Sequence, residues 1–501
     1  EKRDTIHTGA VRSEGGRYFP AFSAEFFSYN DYLVPVNRGI LPSQEKQCRW
    51  CIILSPGKVW SEAKDNGMSR AAFPFVLVTD GSNEVHNGLA TFLYDDSEVS
   101  EMYFQITQET AAWNRNDYWG QLELNYEPYL LENAAELRLD FQKELESQVD
   151  IKDWSKLEER YDEKLLAAFN SGLEPTDISA AGLIIDGTVY LQSLQTRYGE
   201  APFPRYTRHG VFSVTKSMGA LVAMLRLAQT YGDEIFDLRL ADYVDIKSDH
   251  DGWSNVTFGQ ALSMATGVGD YDCRPPAGYF TIGEDQQKFS DWLDAPSKEE
   301  KLEVIFSYEN YDWGPGEVAC YNSINTFMLS AAMDTFLKEQ EGPDADIWQM
   351  VQEEVFEPIG IYHSPVMRTV EPDGSLGLPI LGYGLYPTVD DTAKITALLL
   401  NDGVYGGEQL LSPSMLAKAL YRTHEQGLVI NEPNPYGESR YLYTFWSKAR
   451  CGDDGCFQVP YMVGYGGNLV ALLPNDVVAF RYADAHNYDV EPMIDLGLSI
   501  P

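Results

Sequence analysis

Positive charge is scarce in this sequence: 37 Lys and Arg stand against 76 Asp and Glu in 501 residues, a formal net charge of −39. A field of that sign repels polyanions, which argues against a nucleic-acid partner or an anionic membrane surface. Histidine is also rare, with seven residues, and no Gly-x-Ser-x-Gly elbow occurs, so a Ser-His-Asp hydrolase of the α/β type lacks its nucleophile turn. His209 and His250 are read as structural residues on the same ground. His-Glu-x-x-His is absent, and Asp249-His-Asp-Gly252 fails as a calcium loop because Lys247 and Phe258 would fall on ligand positions. Neither a metal nor an organic cofactor is therefore expected. No uninterrupted apolar run reaches the roughly 18 residues of a membrane-spanning helix. The chain starts at Glu1 without a basic or apolar leader, as a processed mature chain or an expression product would.

What is present describes a folded protein: 44% apolar and 13% aromatic residues, in a length that suggests two or three domains. Six cysteines, an even number, favour three disulfides and a periplasmic or secreted location. Cys451 and Cys456 bracket Gly-Asp-Asp-Gly, a turn that brings strand ends within bridging distance. Cys48-Arg-Trp-Cys51 reads as a short-loop disulfide, a redox pair or half a metal site, and no second ligand pair lies near it in sequence.

Two parts are expected. Residues 1–150 alternate strand-like runs, Phe73–Thr79 and Met102–Thr107, with turns such as Asp80–Asn83, and read as a β-rich accessory domain. No catalytic constellation lies in it; a binding module, a cover over an active site and a dimer surface are all open. Residues 151–501 begin with a predicted amphipathic helix over Trp154–Phe169, then a hairpin, Ala181–Ile185 and Thr188–Leu191, turned by Asp186-Gly187. Val214–Tyr231 reads as a helix apolar on nearly every face, hence an internal one. Residues from about 240 to 370 are rich in helix and loop, and Thr388–Asn401 is a further helix. A last hairpin, Asn468–Leu473 and Val477–Arg481, turns at Pro474-Asn-Asp. No pattern sets an oligomeric state.

Ser-x-x-Lys occurs four times, at Ser43, Ser55, Ser61 and Ser213, and only Ser213 opens a buried helix. There its oxygen sits at the positive end of the helix dipole, and Lys216, one turn on, projects to the same side. A buried amine is pushed towards its neutral form and can then take part in proton transfer.

Phe212-Ser-Val-Thr-Lys-Ser-Met-Gly-Ala220 resembles the nucleophile motif of the serine β-lactamase and penicillin-binding-protein superfamily, in its class C β-lactamase-like branch. Three further segments are similar in order and spacing: Trp253–Gly267, Pro315–Asn325 with its Tyr-x-Asn-like Tyr321-Asn322-Ser323, and Gly384–Lys394 followed by Asn401–Gly407. The resemblance covers about 155–500 and implies an α/β (α+β) fold, an antiparallel sheet flanked by helices, with a helical subdomain. It implies an acyl-enzyme on Ser213, Lys216 as its proton partner and Tyr321 as general base. A phenol ionises near pH 10, so Tyr321 would need the cationic neighbourhood of Lys216. The motif's third position is Ser323 where the family has Asn, with Asn322 and Asn325 as alternatives for that role.

The family's third motif, Lys-Thr-Gly or His-Thr-Gly, is matched by Gly464-Tyr-Gly-Gly-Asn468, which keeps the glycines and has Tyr465 in place of the cation. The resemblance implies an oxyanion hole from the backbone N–H of Ser213 and one near Gly467 and Asn468. Family VIII esterases and 6-aminohexanoate-oligomer hydrolases carry similar versions, which favours a small neutral ester or amide over a β-lactam. The alternatives are a catalytically retired binding protein and a β-lactamase or peptidase of the same family. Cys273 and Cys320 flank segments expected to meet beside the pocket and are expected to bridge.

Overall fold

The computed structural model describes residues 2–6, 19–44, 50–79, 81–112, 115–270, 286–430, 432, 434–452 and 455–501. It is a mixed α/β structure built on two nine-stranded sheets. The N-terminal sheet is antiparallel throughout and turns on long hairpins, Ser69–Thr79 with Val85–Tyr94 and then Met102–Thr110. The strand-like runs at Phe73 and Met102 lie inside these strands. This region also holds a helix, Ala134–Glu146, which the β-rich reading of the sequence did not include. Its one buried side chain, Phe141, meets the edges of the Phe27, Tyr29 and Tyr32 rings, so tertiary packing holds it on the sheet.

The second sheet runs from Asp150–Asp153 to Leu428–Ile430 and is antiparallel except at the Asp150–Asp153 edge. Strand Ile178–Ile185 pairs with Thr188–Leu191 on one side and with Val478–Ala483 on the other. Asp186 and Gly187 both have positive φ, as the two-residue turn requires. Side chains alternate between two cores: Leu183, Leu469 and Ala471 face one, Ile184, Val470 and Leu472 the other. The larger core takes the helices Val222–Tyr231, Ser323–Glu341 and Val389–Leu400; the smaller takes the C-terminal helix Glu491–Leu498.

The expected helix over Trp154–Phe169 is two short ones, Ser155–Glu158 and Glu163–Ala168. The first turn closes when Arg160 and Tyr161 both donate to the Leu157 carbonyl. Asp162 then restarts the helix by accepting from the Lys164 and Leu165 N–H groups, and a capping aspartate outweighs the apolar period.

The two sheets are joined directly. Gln108 donates to the carbonyls of Ile178 and Gln195, Arg197 pairs with Glu109 at 2.6 Å, and Arg115 pairs with Asp484 and Asp177. Ile53, Val76, Val78, Val85 and Ala111 of the N-terminal sheet belong to the larger core of the second half.

Cys451 and Cys456 form a disulfide at the tip of the hairpin Phe445–Gly452 and Gly455–Gly464. Cys320 is disulfide-bonded. Cys48 and Cys273, on which the other two expected bridges depend, lie outside the described residues. Among the described residues no helix is long and apolar enough to cross a membrane, and no cluster of three His, Cys, Asp or Glu could hold a metal ion.

Candidate active site

Ser213 stands at the mouth of an internal helix. The chain enters through three tight turns: Val214 donates to Val211, Thr215 to Phe212 and Lys216 to Ser213. A six-residue π-helical stretch, Lys216–Leu221, follows, then the α-helix Val222–Tyr231. Such wide turns are rare and gather at functional sites. Phe212, directly before Ser213, has φ +45°, a left-handed conformation that costs a bulky residue about 1–2 kcal/mol.

Lys216 is 1% exposed. Its Nζ lies 2.8 Å from Ser213 Oγ, 3.0 Å from Ser323 Oγ and 2.8 Å from the Gly382 carbonyl oxygen. Two of these groups, Ser323 and Gly382, can hold the amine by accepting from it, leaving the third position for exchange of the Ser213 proton. In the Ser55 pair the half-exposed Lys58 instead lies over the Tyr32 ring and pairs with Asp31.

Tyr321 is buried, and Lys216 Nζ lies 4.9 Å from the centre of its ring. The Tyr441 and Trp446 rings fix its orientation, at 6.0 and 5.6 Å between centroids. Its main chain is anchored by Cys320, whose N–H donates to the Met264 carbonyl. The next two residues divide their tasks. Asn322 is the N-cap of helix Ser323–Glu341, its side chain accepting from the Ile324 N–H. Ser323 points to Lys216. Asn325 accepts from Thr266 Oγ1 at 3.2 Å. Of the three candidates for the motif's third position, Ser323 is the one on the lysine, because the helix start turns it inward.

The Gly464–Asn468 turn packs against the segment leading into Ser213. Its glycines are required by close approach: a Cβ on Gly464 would lie 2.1 Å from the Val211 carbonyl, and Gly466, at φ +89°, would meet Ala111 Cβ at 2.4 Å. Gly467 packs on the Asn487 backbone in the same way. The Tyr465 ring rests against Phe212 and His486, at 5.2 and 4.8 Å between centroids. The Asn468 side chain is fully buried; its Nδ2 donates to the Gly210 and Tyr465 carbonyls and its Oδ1 accepts from the Ala483 N–H. The turn is thereby tied to the segment leading into Ser213, and within it the Gly467 N–H donates to the Gly464 carbonyl at 3.3 Å.

His209 is fully buried beside Tyr482, and burial with Arg208 adjacent pushes it down to about 3, which leaves it neutral. His250 is held between the Tyr308 carbonyl and the Gly252 N–H. Asp484, just past strand Val478–Ala483, is pushed up to about 6 by burial, against the pull of Arg115. Sequence reasoning missed Gly382, whose carbonyl holds Lys216, and Asn83, whose Oδ1 accepts from the Phe212 N–H at 2.6 Å. Gly382 carries no local signal, and Asn83 lies in a segment whose composition says only that it turns.

No family model and no curated protein matches this chain. Solved structures similar to it include a penicillin-binding-protein homologue from Caulobacter crescentus, 17% identical, over 66% of this chain and 94% of that one, with a TM-score of 0.44. A family VIII carboxylesterase is 15% identical over 72% and 97%, with a TM-score of 0.45. A D-stereospecific amidohydrolase from a Streptomyces species is 16% identical over 66% and 98%, also with a TM-score of 0.45.

Proposed function

We propose that this protein is a serine hydrolase that cleaves a neutral ester or amide through an acyl-enzyme on Ser213. The observation that carries the reading is the contact of Lys216 Nζ with Ser213 Oγ at 2.8 Å, made by a lysine 1% exposed. A lysine so buried is costly unless its amine is hydrogen-bonded, and here Ser323 and the Gly382 carbonyl hold it against the Ser213 hydroxyl.

In the proposed reaction Ser213 Oγ bonds to the substrate carbonyl carbon as its proton passes to the Lys216–Tyr321 pair. Backbone N–H groups of Ser213 and of the Gly467–Asn468 turn hold the oxyanion. The leaving alcohol or amine takes the proton as its bond to carbon breaks. Water then adds to the acyl-enzyme and releases the acid. Tyr465, standing where related sites place a cation, favours a substrate without a carboxylate beside the scissile bond. An exported location fits the Cys451–Cys456 disulfide.

The test compares hydrolysis of a short-chain p-nitrophenyl ester, the corresponding anilide and a chromogenic cephalosporin by the parent and by Ser213→Ala. Ester or anilide turnover that disappears in Ser213→Ala, with cephalosporin turnover at least tenfold slower, is expected. Fast cephalosporin cleavage would replace the substrate assignment. Absence of turnover on all three would turn the reading towards a binding protein on a retired site.

A further inference from the structure

Asn83 lies in the turn between two strands of the N-terminal sheet, against the turn that presents Ser213. It follows strand Ser69–Thr79, immediately before Val85–Tyr94, and is fully buried. Its Oδ1 accepts from the Phe212 N–H at 2.6 Å, and its Nδ2 donates to the Leu385 carbonyl at 3.2 Å. Leu385 in turn donates its own N–H to Thr215 Oγ1 at 3.0 Å, and Gly382, three residues earlier, accepts from Lys216. One amide therefore bridges the residue before the nucleophile to the segment that holds Thr215 and Lys216.

The approach is close. A Cβ on Gly210 would lie 1.8 Å from the Asn83 carbonyl oxygen, so the glycine lets the two backbones touch. Phe212 is held at φ +45°, a conformation that persists when its surroundings over-determine it. The bond to its N–H comes from Asn83. Only an amide, neutral and carrying an acceptor and a donor on one carbon, satisfies both contacts at once. Ala111, just past strand Met102–Thr110 of the same sheet, lies against Gly466.

We infer that Asn83 is a positioning residue for Ser213, and that the N-terminal sheet is part of the active-site scaffold. This rests on Ser213 being the nucleophile. Asn83 acts through Phe212: it fixes the main chain from which Ser213 Oγ reaches both Lys216 and the substrate carbonyl. Errors of about 1 Å in such placement cost on the order of 100-fold in rate.

The test uses the full chain in four forms: parent, Asn83→Ala, Asn83→Asp and Ile106→Ala, the last a buried residue in the N-terminal sheet's own core. Fluorophosphonate labelling rate, kcat and KM for a short-chain p-nitrophenyl ester, and melting temperature are measured on each. Asn83→Ala is expected to lower kcat and labelling rate by ~10- to 100-fold with KM within about threefold. Asn83→Asp keeps the acceptor for Phe212 and is expected to retain several-fold more kcat than Asn83→Ala. Ile106→Ala is expected to lower the melting temperature while keeping kcat within about twofold. Parent-like kcat and labelling in folded Asn83→Ala would overturn the inference, as would an equal kcat loss in Ile106→Ala. Should Asn83→Ala not fold, Asn83→Asp decides, with parent-like kcat overturning the inference and a several-fold loss at unchanged KM supporting it. A parent that is never labelled would instead overturn the nucleophile assignment.

Discussion

Lys216 ties three separate parts of the chain together, and each contact makes a different demand. Replacing it by Met keeps the apolar stem and removes the amine, and a loss of about 10²- to 10⁴-fold in kcat is expected, the range of general acid–base contributions. Tyr321→Phe is expected in the same range, whereas Ser323→Ala removes one of several acceptors and is expected to cost about tenfold or less. Steady-state kinetics on one ester separates these outcomes. His209 makes a prediction of another kind. Burial first, and Arg208 second, push its folded-state value down to about 3, while an unfolded chain takes up the proton near 6.5. A depressed histidine leaves stability intact above the unfolded value and removes it as pH falls from about 6.5 towards 3. The loss is at most about 5 kcal/mol at the acid end. His209→Phe is therefore expected to unfold at lower pH than the parent in circular-dichroism titrations between pH 7 and 3.

At the scale of elements, turns and strand ends set the site. Gly464→Ala would drive a Cβ to 2.1 Å from the Val211 carbonyl and push the third-motif strand off the segment leading to Ser213. A lowered melting temperature and a loss of at least ~100-fold in kcat are expected. The Cys451–Cys456 bridge lies at the other end of the strand Gly455–Gly464, roughly 30 Å away along ten residues. It closes a short loop, so replacing both cysteines by Ser is expected to cost about 2 kcal/mol and to leave ester hydrolysis unchanged. Elements whose information is local were readable in the sequence. Ser213 and Lys216 sit one helical turn apart, Asp186-Gly187 names its own turn, and Thr388 is followed by Asp391, which completes a capping box at the predicted helix start. The break at Asp162 was missed because an apolar period outweighed a capping residue in the reading. The choice among Asn322, Ser323 and Asn325 could not be made from spacing, since all three open one helix and its rotation decides which side chain meets Lys216. Asn83 and Gly382 reach the site from 129 residues before Phe212 and 166 residues after Lys216, and no local pattern carries such contacts.

For the whole molecule, the excess of acid is the dominant electrostatic fact. With a formal net charge of −39, the folded surface repels itself, and salt screens that repulsion. Raising NaCl from ~0.05 to ~0.5 M is expected to raise the melting temperature by a few degrees. Cross-sheet pairs such as Arg115 with Asp484 and Arg197 with Glu109 are partly or fully buried and are screened less, so the gain from relieved repulsion outweighs their loss. Those pairs, the shared core and Asn83 join the two sheets, with Ser213 beside the place where the N-terminal hairpins meet the second half.

The most direct measurement is intact mass followed by peptide mapping after a fluorophosphonate probe, on the parent and on Ser213→Ala. The account predicts one probe per chain, located on the peptide containing Ser213 and absent from the variant. A parent that stays unlabelled while folded, or a label that persists in Ser213→Ala, would contradict the assignment of Ser213 as the nucleophile.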